Sequence, residues 1–132
     1  HDVRLVKGIY LEPAEIAHTN PEAITDAYMD CAKELLARGA VVSFATHDEL
    51  LVERLGAVIT EFKAESRCEL QVLDGVRASF WSGWRDGAGE VNGMPLRVYV
   101  PYGPDWRAYS IRRMRKNPQM FRAVVKSLFF GD

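Results

Sequence analysis

Apolar residues recur at two different periods along this chain. Ile24, Ala27, Tyr28, Cys31 and Leu35 return every three or four positions, which predicts one buried stripe on an amphipathic helix. Asn20-Pro21-Glu22 supplies its start: a capping side chain, a proline at the first helical position and an acid in the first turn. Gly39, straight after Arg38, is the expected stop. Leu51, Leu55, Val58, Ile59 and Phe62 form a second stripe, with Glu49, Glu53, Arg54 and Lys63 outside it and Asp48 placed to cap. Shorter runs lie between. Val3 to Val6 reads as a strand closed by Gly8, and 12–20 as a loop. Ala40 to Ala45, AVVSFA, shows no alternation, which predicts a strand buried on both faces of a parallel sheet. Cys68 to Leu73 is a third strand and Leu96 to Val100 a fourth, rich in β-branched and aromatic residues. A helix is expected over 76–85, a glycine-containing loop after it, and another helix from Pro104 or Asp105. Asn117-Pro118 should interrupt that helix before Phe121, Val124, Val125 and Leu128 resume its apolar face.

The order is strand then helix, four times over. At about 33 residues per unit it matches the roughly 31 of a (β/α)8 barrel of about 250 residues. The reading is therefore α/β: a TIM-like barrel of which residues 1–132 supply four β/α units, half the closed structure. Half a barrel leaves bare parallel edges and one uncovered sheet face. The abrupt start at His1-Asp2, straight into a strand, reads as a cut end.

Composition narrows the classes. Hydrophobic content of 48% and aromatic content of 11% are those of a chain with a packed core. With 17 basic and 18 acidic residues the net charge is -1, so nothing in the totals points to nucleic acid. No apolar run approaches the roughly 18 residues of a membrane span. Cys31 and Cys68 have no metal-ligand spacing and read as buried thiols in a reducing compartment.

In barrels of this type the chemistry sits at the carboxyl ends of the strands. Here those ends carry Arg4, Lys7, Gly8 and Tyr10, then Thr46 and His47, then Glu69, Gln71 and Leu73, then Tyr99 to Gly103. His47, Asp48 and Glu69 could be imagined as a metal cluster, but Asp48 is better used as a helix cap, and no metal is expected. No nucleophile-elbow sequence supports a Ser/His/Asp site, and a Schiff-base role for Lys7 is the lesser reading. Cations and donors without acid/base pairs suit a large anionic cofactor that carries the chemistry itself. Arg112 and Arg113 project roughly 100° apart on a helix and can grip one small carboxylate from two directions.

These stretches together, VRLVKGIY (3–10), ATH (45–47), ELQVLDG (69–75), RVYVPYG (97–103) and Arg112-Arg113, resemble in order and spacing the successive motifs of the proline dehydrogenase family. The resemblance covers essentially the whole chain. It implies strands five to eight and the last helix of a flavin-dependent barrel. That enzyme oxidises L-proline to Δ1-pyrroline-5-carboxylate and passes electrons to a quinone at the membrane surface. The missing N-terminal half barrel would be its partner, and the setting cytoplasmic, peripheral to the inner membrane (on the matrix side in a mitochondrion). Carried over, Arg112 and Arg113 clamp the proline carboxylate, while Tyr99 and Leu73 wall the ring pocket with Tyr10 beside it. Arg4 donates toward the reactive edge of FAD, and Lys7, Gly8, Thr46 and His47 line the rest of it. The sequence departs from the family at Lys116, where a glutamate is usual three residues after the second arginine, and at Leu11, where some members place an aromatic. A non-catalytic anion- or partner-binding barrel fragment, and a related flavin barrel acting on folate, are the alternatives.

Overall fold

A computed structural model describes residues 2–8, 12–74, 90–91, 93–105, 107–108 and 111. The elements are β1 (Asp2–Val6), α1 (Pro21–Ala37), β2 (Val41–Ala45), α2 (Glu49–Glu61), a 3-10 turn (Glu65–Arg67), β3 (Cys68–Leu73), β4 (Glu90–Val91) and β5 (Met94–Tyr99). Strand order across the sheet is β1-β2-β3-β5-β4. β1, β2, β3 and β5 run parallel, and β4 returns antiparallel along β5. The fold is thus α/β with a four-stranded parallel sheet and helical crossovers.

The helix ends follow local chemistry. The Asn20 side chain accepts from the amides of Glu22 and Ala23 at 2.8 and 3.2 Å, and Asp48 accepts from the Leu51 amide at 3.2 Å. Each satisfies donors that a helix leaves unpaired at its first turn. Gly39 takes φ +74°, a left-handed conformation that closes α1 while its amide bonds the Leu36 carbonyl.

Alternation along the strands sorts the two faces of the sheet. Val42, Phe44, Leu70, Val72 and Met94 are buried beneath the helices, against Tyr28, Met29, Ala32 and Leu36 of α1 and Leu51, Val52, Leu55, Val58 and Ile59 of α2. Each fully buried side chain of this kind contributes about 1.5–3 kcal/mol relative to exposure. Tyr28 anchors α1: its ring lies 6.4 Å from that of Phe44, and its hydroxyl donates to the Leu5 carbonyl at 3.0 Å.

Three expectations are corrected. Cys31 is exposed, because Tyr28 sets the phase of α1 so that Met29, Ala32 and Leu36 turn inward; only Cys68 is a buried thiol. β2 is not covered on both faces: Val41 is 45% exposed beside fully buried Val42, since no described element covers the second face. The run before β5 is not all loop, because β4 pairs Val91 with Met94 around Gly93, whose φ of +76° allows the turn, and β5 starts at Met94. The helix expected over 76–85, and the interruption at Asn117-Pro118 with the face beyond it, lie outside the described residues.

Candidate active site

The uncovered face carries the polar residues of the strands. Register places Arg4 beside Ser43 and Ser43 beside Glu69, then Gln71 beside Arg97, then Leu73 beside Tyr99 at the carboxyl ends. Glu69 is the hub of this face. Its Oε1 accepts from Ser43 Oγ at 2.8 Å and Gln71 Nε2 at 2.6 Å, and its Oε2 accepts from Arg97 Nε at 2.9 Å. Burial alone would raise the Glu69 carboxyl, but the bonds from Arg97, Gln71 and Ser43, with the charge of Arg97, outweigh it and hold the group below its ordinary value. Arg97 is thereby neutralised. Arg4, exposed in the neighbouring row, makes no ion pair or hydrogen bond among the described residues.

Lys7 and the loop after β2 are built differently. Lys7 Nζ reaches Asp48 Oδ2 at 2.5 Å and Thr25 Oγ1 at 3.0 Å, so one ammonium ties the end of β1 to the first turns of α1 and α2. The other carboxylate oxygen, Oδ1, caps α2. Thr46 is buried and its hydroxyl accepts from the Asp48 amide at 3.1 Å. His47 Nε2 accepts from the Leu73 amide at 3.0 Å, and the next amide, that of Asp74, donates to the Tyr99 carbonyl at 2.9 Å. Leu73 is half-buried and Tyr99 is 49% exposed, so the pair offers an apolar, accessible wall where the strands end.

The expected residues thus fall into groups. Leu73 and Tyr99 are neighbours, and Arg4 lies on the same face. Gly8 is exposed, and a Cβ built there would meet nothing within 4 Å, so its backbone is open to approach. The polar ends of Lys7 and Thr46 and the Nε2 of His47 are engaged within the chain. Tyr10, Arg112 and Arg113 lie outside the described residues. Sequence reasoning missed the partnership of Ser43, Gln71 and Arg97 through Glu69. Part of the signal was available in Glu69 and Gln71 alternating with Leu70 and Val72.

Such a face, polar side chains set among parallel strands with an apolar pair at their carboxyl ends, places the candidate site of this α/β chain at its strand ends. The model of the proline dehydrogenase family matches residues 1–124, and the chain belongs to that family. It is 33% identical over 131 residues, 98% of its length, to a proline dehydrogenase of Deinococcus radiodurans. It is 31% identical over 96% of its length to proline dehydrogenase 1 of Bacillus subtilis strain 168, and 28% identical over 96% to proline dehydrogenase 2 of the same strain. The chain spans about 41% of the length of the first of these relatives.

Toward an anionic cofactor the described residues offer the exposed Arg4 and the open backbone at Gly8. Arg4 has no counter-ion among the described residues. Lys7, Thr46 and His47 hold the surrounding loops in place.

Proposed function

We propose that residues 1–132 form the C-terminal half of a proline dehydrogenase (β/α)8 barrel, supplying strands five to eight and the last helix, with an N-terminal half barrel packed against the open face. The proposed activity is oxidation of L-proline to Δ1-pyrroline-5-carboxylate. FAD, when bound, supplies the two-electron acceptor for the hydride from proline C5, and a quinone at the membrane surface takes the electrons onward. The setting proposed is cytoplasmic, peripheral to the inner membrane.

One observation carries this reading: on a face where Arg97 is already neutralised by Glu69, Arg4 is left uncommitted two layers below the Leu73–Tyr99 wall. A guanidinium left without a counter-ion in the described chain suits a site where negative charge develops during reaction. Arg112 and Arg113 hold the carboxylate of proline and orient its ring. Leu73, Tyr99 and Tyr10 enclose that ring and exclude water. Arg4 offsets the growing negative charge, and the backbone at Gly8 lets the cofactor approach closely.

The test is co-expression of residues 1–132 with an N-terminal half barrel from a relative. Visible flavin absorbance and proline-dependent reduction of an artificial acceptor are expected only from the pair. Flavin binding by residues 1–132 alone would overturn the half-barrel reading, and a flavin-loaded pair inert toward proline would overturn the activity.

A further inference from the structure

β2 ends at Ala45 while its neighbour β3 continues to Leu73. The register pairs Ala45 with Gln71, so extending it sets position 47 opposite Leu73. The β2–β3 pairing ends at Ala45 and Gln71, two positions short of that point. The imidazole takes its place: His47 Nε2 accepts the Leu73 amide at 3.0 Å. To accept, Nε2 must be unprotonated, so the proton of the neutral ring lies on Nδ1. On the other side, the amide of Asp74 donates to the Tyr99 carbonyl. Two successive amides of β3 are therefore laced to opposite neighbours, one through a side chain and one through backbone.

We propose that His47 is a positioning residue for the substrate wall: its Nε2 replaces the missing ladder bond at the end of β2 and so sets where Leu73, and Tyr99 beside it, face the ring of the substrate. This inference rests on the reading of Leu73 and Tyr99 as the proline wall. It assigns the histidine a different task from lining the cofactor. A wall set on its β2 side by an imidazole bond should govern substrate affinity and ring-size selectivity more than turnover.

The experiment compares His47→Gln, His47→Asn and His47→Leu in the full-length flavin-loaded protein. A glutamine amide oxygen reaches the place of Nε2, whereas asparagine reaches only that of Nδ1. Two readouts are taken: hydrogen exchange at the Leu73 amide, and KM against kcat for proline beside a ring-hydroxylated proline. Loss of the bond should speed Leu73 exchange and raise proline KM each by about tenfold in the Leu and Asn variants, with kcat changed far less. His47→Gln should restore most of both. The proposal is overturned if Asn rescues as well as Gln, or if Leu73 exchange stays at the wild-type rate in all three variants. If the Leu variant does not fold, the Gln–Asn comparison decides. A wild-type protein that turns over no proline, yet shows the Leu73 exchange pattern, would remove the proline reading and leave the role of the histidine at the strand end standing.

Discussion

Arg97 and Glu69 face each other across the seam between β3 and β5, with guanidinium Nε and Nη2 at 2.9 and 2.8 Å from the same carboxylate oxygen. The second oxygen is taken by Ser43 and Gln71. One acid thus ties three strands together on the face that the described helices leave open, and it cancels one of the two arginines described there.

Replacing that acid should be felt mainly as stability. Glu69→Gln keeps the shape but loses the charge-assisted bonds; because Arg97 is 69% exposed, solvent screening limits the expected cost to about 1 kcal/mol. The pH dependence has a definite sign. The folded carboxyl lies below its unfolded value, so its contribution is fully present above the unfolded pKa and is lost as pH falls through the folded one, that is, below about pH 4.3. Melting temperatures taken from neutral to acid pH should converge for wild type and Glu69→Gln. Parallel curves would count against the hub.

Lys7→Met should cost about 1–2 kcal/mol, more than an exposed pair, because the side chain is only 21% exposed and its loss removes charge-assisted bonds to both Asp48 and Thr25. Denaturant melts of Lys7→Met and Asp48→Asn, with the double variant, measure the coupling. Additive losses would mean that the pair is not the linchpin of the two loops.

The arginine pair makes the sharpest activity prediction. On the proposed clamp, Arg112→Ala and Arg113→Ala should each lower kcat/KM for proline by at least about 100-fold, the few kcal/mol expected when one partner of a charge-assisted pair with the substrate is removed. Steady-state kinetics of the flavin-loaded protein check this, and a loss below tenfold would exclude the clamp.

The two thiols should differ in reactivity. Burial pushes the Cys68 thiol up to about 11, with the Arg67 charge lowering it and that of Glu65 raising it to a lesser degree, whereas Cys31 is exposed. At about pH 8 an alkylating reagent should therefore modify Cys31 in the native protein and reach Cys68 only on unfolding. Mass spectrometry of the digested, labelled protein reads the outcome, and equal labelling rates would contradict the buried position of Cys68.

Local signals were legible where neighbouring residues decide the outcome. Asn20, Pro21, Gly39 and Asp48 mark helix ends through chemistry within one turn, and the structure uses each as such. The bounds of β3 were legible for the same reason, its polar and apolar residues alternating at period two. Cys31 shows where this stops. A spacing of three or four residues defines a stripe but not its rotation, which Tyr28 sets by reaching across to Phe44 and Leu5. The apolar run of β2 looks alike whether or not a second layer covers it, so the uncovered face followed only from the count of four β/α units.

By itself, the order of residues determined the alternation of strands and helices, their capping, and membership of a family through five motifs in register. It did so because periodicity and motif spacing are properties of the chain alone. Only the tertiary structure decided that Glu69 would neutralise Arg97 and leave Arg4 without a counter-ion among the described residues, that Lys7 would spend its charge on Asp48, and that His47 would accept the amide of Leu73. These partners stand 26 to 41 residues apart, and strand register, not sequence distance, brings them within bonding reach.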